Sequence, residues 1–184
     1  YTIKYYIFII KVVSLFILNS CSENNSIRTY NLPKNLKVNT EVDKKVDSAK
    51  NLLFNKPTSW KSSSGSSMRI ASFDVPYKYG VGDLSVIQLD GDGGGISSNV
   101  NRWRRQLTLE PLAIADIESK LSIYEGVIGK YSVIEIVDIE EENAFLCAII
   151  PSNGLTIFVK LSLKYSGIEH VKNDFIFFCN SINI

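Results

Sequence analysis

The residues best suited to chemistry lie between Asp90 and Arg105. Here Asp90-Gly91-Asp92-Gly93-Gly94-Gly95 runs into Ile96-Ser97-Ser98-Asn99-Val100-Asn101-Arg102. Glycines leave backbone N–H groups accessible, and a helix starting there aims its first N–H groups into the loop. The segment therefore has the makings of an anion site, with Arg102 or Arg105 assisting. It lacks the Lys-Ser/Thr pair of a P-loop and the G-x-G-x-x-G spacing of a dinucleotide site, and Asp90 and Asp92 would repel a phosphate. As a calcium loop beginning at Asp90 it places Gly95 correctly at the sixth position. It then puts Asn101 where a bidentate Glu is needed, so only two carboxylates remain. As a plain strand-to-helix corner, the glycines supply positive φ and Ser98 or Asn99 caps the helix. The corner is the favoured reading. Asp92, Gly93, Gly94, Asn99, Arg102 and Arg105 are the candidate ligand or partner contacts, and no metal site and no cofactor are expected.

Other reactive side chains form no constellation. His170 is the only imidazole and stands beside Glu169 with no Ser or Cys nucleophile directed at it, so a surface role is expected. Cys147 on a strand and Cys179 on a helix read as small core hydrophobes. They would pair in an oxidising compartment only if that helix crosses that strand. Trp103 sits between arginines, where it could stack on a base or a sugar. It also shares a helical face with Val100 and Leu107, and core packing is the expectation. Arg102 and Arg105 fall off that face, as solvated charges or as a partner-contact patch. Glu140-Glu141-Glu142 reads as a solvated turn. Nothing here builds a catalytic site, and a non-enzyme is expected.

Composition bounds the remaining classes. The chain has 184 residues, 45% apolar, with 20 basic and 19 acidic side chains and a net charge of +1. That balance argues against a nucleic-acid binder, which carries a basic excess or stripe. Eleven glycines and five prolines among so many apolar residues describe a core-forming chain rather than a disordered or fibrous one. Three cysteines are too few for a disulfide scaffold.

Periodicity supplies the elements that must position these residues. Met68 to Val75 has strand composition closed by Pro76, after an exposed serine-rich turn (Ser62 to Ser67). Leu84 to Leu89 is a second strand. The period then changes: Ile96, Val100, Trp103 and Leu107 share one helical face. A second helix begins with Pro111 in its first turn and buries Ile114, Ile117 and Leu121. Tyr131 to Ile139 and Ala144 to Ile150 are strands, and Ser152-Asn153-Gly154 is a hairpin connection. The next strand alternates, with Leu155, Ile157, Val159, Leu161 and Leu163 on one face. A last helix carries the stripe Ile168, Val171, Phe175, Phe178 and Ile182. Strand meanders with helices between and after them imply an α+β fold with a largely antiparallel sheet flanked by helices.

The N-terminus is read as three segments. Residues 1–20 have a basic start (Lys4, Lys11) and the apolar run Val12 to Leu18, too short to span a bilayer and shaped like a secretory signal. Leu18-Asn19-Ser20-Cys21 resembles the lipobox of bacterial lipoproteins, whose cysteine thiol is alkylated by diacylglyceryl transfer. Cys21 is accordingly the expected lipidation site and membrane link. Ser22 after it resembles the outer-membrane sorting signal. Residues 21–53 form a polar tether, with Val42, Val46, Ala49 and Leu53 at the spacing of a short amphipathic helix. Residues 54–184 form the globular domain.

Trp60, Ser66-Ser-Met-Arg-Ile-Ala-Ser-Phe-Asp-Val-Pro76 and Gly91-Asp-Gly-Gly-Gly-Ile-Ser-Ser-Asn-Val-Asn-Arg-Trp-Arg-Arg-Gln-Leu107 together resemble a family of uncharacterised bacterial lipoproteins. That family is similar in element order to the PsbP-like fold, named for the extrinsic P subunit of photosystem II. The resemblance covers roughly residues 54–184. It implies an α-β-α sandwich, secretion and no catalytic residue set; Arg105 departs from it, standing where a glycine is common. The expected function is that of a membrane-anchored envelope lipoprotein, facing the periplasm, that binds an envelope protein partner without catalysis and without nucleic acid. The alternative is a small-ligand, anion or metal binder, or an envelope enzyme, using the loop at 90–101.

Overall fold

The structure is a computed structural model that describes residues 52–184. Residues 1–51 lie outside the described residues, and with them the expected leader, Cys21 and nearly all of the tether. Seven strands form one sheet: β1 (Lys61–Ser62), β2 (Ala71–Tyr77), β3 (Gly80–Asp90), β4 (Ser122–Gly126), β5 (Gly129–Asp138), β6 (Asn143–Ser152) and β7 (Leu155–Lys164). Among the described residues three α-helices accompany it: α1 (Ile96–Gln106), α2 (Ile114–Lys120) and α3 (Ile168–Ser181).

The sheet order is β1-β2-β3-β7-β6-β5-β4, and every pairing is antiparallel. Short turns link most neighbours. Ser152 faces Leu155 across Asn153-Gly154, where Gly154 takes φ 79°, a left-handed conformation that glycine adopts at no steric cost. The long-range join is β3 to β7, from Asp83 against Ser162 to Asp90 against Leu155. It brings the corner after β3 beside the β6–β7 hairpin.

Alternation along the strands gives the sheet two apolar faces. One carries Leu84, Val86, Leu146, Val159 and Leu161 against Val171, Phe175 and Phe178 of α3, with Trp60 and Phe73 closing one end. The rings of Trp60 and Phe178 lie 5.3 Å apart. The other face carries Ile134, Ile136, Phe145 and Phe158 against Val100, Trp103, Leu107 and Ile117 from the α1–α2 layer. The result is an α+β protein with an antiparallel sheet between helical layers, as its periodicities lead one to expect.

Several local expectations are corrected. Pro76 lies inside β2, opposite Val81. β1 pairs only as far as Asp74, so the missing N–H removes no bond to that neighbour. Ile96, the first residue of α1, is 37% exposed. Pro111 precedes α2, and Ile114 in its first turn is exposed; only Ile117 of that helix is buried. Leu121 ends the helix rather than extending it, and β4 follows at once, held by Tyr124 stacked on Tyr131 at 5.7 Å. Leu53 is not helical. It forms an isolated antiparallel bridge with Asn183.

Candidate functional site

The loop from Asp90 to Gly95 is a tight corner tied at several points. Gly91, Gly93, Gly94 and Gly95 all take positive φ, from 60° to 90°. A Cβ built on Gly93 would stand 2.5 Å from the Phe158 ring, whereas one on Gly91 meets nothing within 4 Å. The Gly91 N–H donates to the Gly154 carbonyl at 2.8 Å, and Thr156 Oγ1 donates to the Gly91 carbonyl at 2.8 Å. Asp92 Oδ1 accepts the Gly94 N–H at 2.9 Å, an Asx-type turn.

Asn99 plays a part that the sequence reading missed. The N-cap of α1 is Gly95, with no side-chain cap, so neither Ser98 nor Asn99 caps the helix. Asn99 is 2% exposed. Its Nδ2 donates to the carbonyls of Gly93 at 3.0 Å and Gly95 at 2.7 Å, and its Oδ1 accepts from Arg102 Nη2 at 2.7 Å. One turn into the helix, the amide reaches back to loop carbonyls that the positive-φ glycines turn inward. It thus locks the corner from beneath. Asn101 is engaged likewise, pairing with both the carbonyl (3.0 Å) and the N–H (2.8 Å) of Leu112, which fastens α1 to the approach of α2.

The arginines divide by role. Arg104 Nε donates to the Glu110 carbonyl at 2.7 Å, and Arg102 holds Asn99. Arg105 is exposed, and its guanidinium makes no hydrogen bond or ion pair among the described residues, although its carbonyl accepts the Thr108 N–H at 3.1 Å. Nearby, half-buried Lys160 donates to Gln106 Oε1 at 2.8 Å and lies 4.4 Å from the centre of the Phe145 ring. Desolvation draws its pKa below the usual lysine value. On β3, Asp83 binds Arg69 through two contacts of 2.8 Å, and these hold its carboxyl below the ordinary aspartate range.

The remaining candidates are separated. Cys147 belongs to the α1–α2 face of the sheet and Cys179 to the α3 face. With the sheet between them they do not pair, and both are free thiols. Burial pushes both thiols upward, so neither offers a ready thiolate. His170 is exposed, with Nδ1 3.2 Å from the Ser166 carbonyl and the Tyr79 ring edge-on to it at 5.5 Å. Trp103 is 3% exposed and packs edge-on to Phe158 at 6.1 Å, as the helical face predicts. Among the described residues no three His, Cys, Asp or Glu side chains stand together as a metal site.

Beside the corner the sheet end opens into a cleft of about 850 Å³, bordered by Gly91, Asp92, Gly95 and Ile96. Asn99 and Arg102 take no part in its walls. Its other sides come from the β4–β5 turn, the β6–β7 hairpin and the C-terminus, three segments far apart in sequence with no shared motif to announce them.

No protein-family model and no curated protein matches the chain. Solved structures similar to it include the solution structure of cyanobacterial PsbP (CyanoP) from Synechocystis sp. PCC 6803. That likeness has 15% identity over 72% of this chain and 92% of that one, at a TM-score of 0.44. A crystal structure from Bacteroides thetaiotaomicron VPI-5482 is similar over 72% of this chain, at 10% identity and a TM-score of 0.42. That match spans 44% of the Bacteroides chain, less than half its length.

Proposed function

We propose that this chain is a lipid-anchored, non-catalytic binding module of a bacterial cell envelope, one of the PsbP-like lipoproteins its motifs resemble. It is held to the outer membrane through Cys21 and meets an envelope protein on the Arg102/Arg105 side of α1. The observation that carries the reading is the division of that helix. Val100 and Trp103 are buried against the sheet, while Arg102 and Arg105 are exposed and the Arg105 guanidinium bonds to nothing among the described residues. The fold does not need Arg105, and a planar guanidinium in that position is suited to pairing a carboxylate bidentately on another protein. The buried thiols and the isolated His170 support a role without catalysis. A small-ligand, anion or metal site within the loop at 90–101 is less well supported, because Asn99 is committed to the Gly93 and Gly95 carbonyls and to Arg102.

The test has two arms. Mass spectrometry of the mature protein is expected to find an acylated N-terminal Cys21, and Cys21→Ala is expected to lose both processing and anchoring. Native co-purification is then compared between wild type and Arg102→Ala/Arg105→Ala, after circular dichroism shows both folded. Loss of a partner in the double variant supports the reading, and identical partners in identical amounts refute the arginine face.

A further inference from the structure

We infer that the sheet surface beside the C-terminal end of α1, with Lys160 at its centre, docks an acidic, extended segment of a protein partner. This rests on the reading of α1 as the partner-binding side. It deepens that reading by naming the partner's chemistry and a contact on the sheet that the helix alone does not hold.

Lys160 stands on β7 opposite Ser85 of β3 and Cys147 of β6, on the sheet face that α1 covers. Its stem crosses the Phe145 ring, and its ammonium donates to Gln106 Oε1 at 2.8 Å. An ammonium has three donors, and this neutral amide fills one of them. Among the described residues no carboxylate pairs with it; the ion pairs there are Arg69 with Asp83 and Lys172 with Glu135. Burial is the first cause of its lowered pKa, and the charged side chains that act on it are Arg69 and Arg102 against one carboxylate, Asp83. That carboxylate is already closed by Arg69 through both oxygens. Asp74 lies across from Lys61 in the β1–β2 pair, two strands from β7. Asp92 precedes the first residue of α1, whereas Lys160 meets its last, about 16 Å away along a helix of this length. A charge held partly out of water without a counter-ion is costly. An incoming carboxylate removes that cost through a charge-assisted hydrogen bond.

Spacing narrows the partner further. Arg102 precedes Gln106 by four residues, so the two share one side of α1, and both are exposed. Four helical residues rise about 6 Å, which sets the Arg102 guanidinium and the Lys160 ammonium one turn apart. Arg102 gives one donor to Asn99 Oδ1 and has four more. An extended chain carries alternate side chains on one side, about 6.6–6.8 Å apart. Two acidic residues separated by a single residue therefore meet both cations at once.

The experiment is fluorescence anisotropy with the full chain in neutral detergent micelles at low salt. The probe is a labelled peptide of alternating glutamate and serine, and the control is the same peptide with glutamine in place of glutamate. The glutamate peptide is expected to bind roughly tenfold more tightly than the control. Lys160→Met keeps the stem on the Phe145 ring and should weaken binding about tenfold, as loss of a hydrogen bond to a charged group allows. Arg102→Ala should weaken it about fivefold, as an exposed ion pair allows. Lys130→Met removes the same charge from an exposed position on β5 and should leave binding unchanged. Circular dichroism first shows each variant folded, and Lys160→Gln replaces Lys160→Met if methionine disturbs the packing. Equal affinity of wild type and the Lys160 variant overturns the proposal. Equal weakening by Lys130→Met also overturns it, because the effect would then be one of net charge. Neither result touches the Arg102→Ala/Arg105→Ala co-purification, whose failure with the peptide pattern intact refutes the α1 partner reading and leaves the acidic-segment site standing.

Discussion

Trp103→Ala tests whether the α1–α2 layer is a true second core. The indole is 3% exposed and sits with Val100, Leu107 and Ile117 on Ile134, Ile136, Phe145 and Phe158. A buried aromatic of this size removes roughly 150–250 Å² from water, which at about 25 cal/mol per Å² corresponds to about 4–6 kcal/mol. Partial collapse of the site lowers this, and truncations of large buried aromatics typically cost roughly 3–5 kcal/mol. We expect a loss in that range. Against a total stability of about 5–15 kcal/mol, the variant folds but stands near the edge. Urea melts followed by fluorescence give the measurement, because the chain has two tryptophans and the remaining one, Trp60, is buried on the opposite face of the sheet. With a slope near 2 kcal/mol/M, the midpoint should fall by roughly 2 M while the slope stays constant. Trp103→Phe, which keeps an aromatic ring against Phe158, should recover more than half of the loss. A loss below about 1 kcal/mol for Trp103→Ala would refute the packing argument and free the ring for recognition.

Two further predictions concern the corner and the thiols. Gly91→Ala should cost about 1–2 kcal/mol, the left-handed backbone penalty alone. Gly93→Ala should cost about 1–3 kcal/mol more, because its Cβ meets the Phe158 ring, and equal losses in thermal melts would show that the ring gives way freely. Cys147 and Cys179 both have raised folded pKa values, so their contribution is complete below the unfolded thiol pKa of about 8.5 and is lost as pH rises above it. In that window the unfolded chain releases protons that the folded chain keeps, and each thiol lowers stability by about 1.4 kcal/mol per pH unit. Lys160, whose folded pKa is depressed, acts in the opposite direction but equally in wild type and variant. Cys179→Ala should therefore lessen the fall in stability between pH 9 and 10 by about that amount per unit, measured by denaturant titration; an unchanged slope would show that the folded thiol titrates normally.

Much of the fold is legible in the residues themselves. Alternation from Leu155 to Leu163 places Ile157, Val159, Leu161 and Leu163 on one face of β7, and the stripe from Ile168 to Ile182 is the buried side of α3 and the residue after it. Asn153-Gly154 specifies its hairpin, because few other residues tolerate positive φ there. The face shared by Val100, Trp103 and Leu107 is equally plain, since a 3.6-residue period is a local property that packing merely reveals. The four corner glycines also adopt the positive φ that their sequence invites.

Tertiary structure decided what depends on partners distant in sequence. β4 is too short and too mixed to declare itself, and becomes a strand only because β5 pairs with it and Tyr131 receives Tyr124. Ile96 and Ile114 obey the helical period yet stay exposed, each at the first position of its helix. Asn99 has the residue type of a cap, but the inward-facing carbonyls of Gly93 and Gly95 claimed its amide. Cys147 and Cys179 look free to meet until the sheet comes between them. The cleft is the extreme case. Its walls come from the corner, the β4–β5 turn, the β6–β7 hairpin and the C-terminus, and the corner joins the hairpin only through the β3–β7 register, a pairing between residues more than sixty positions apart that no local pattern encodes.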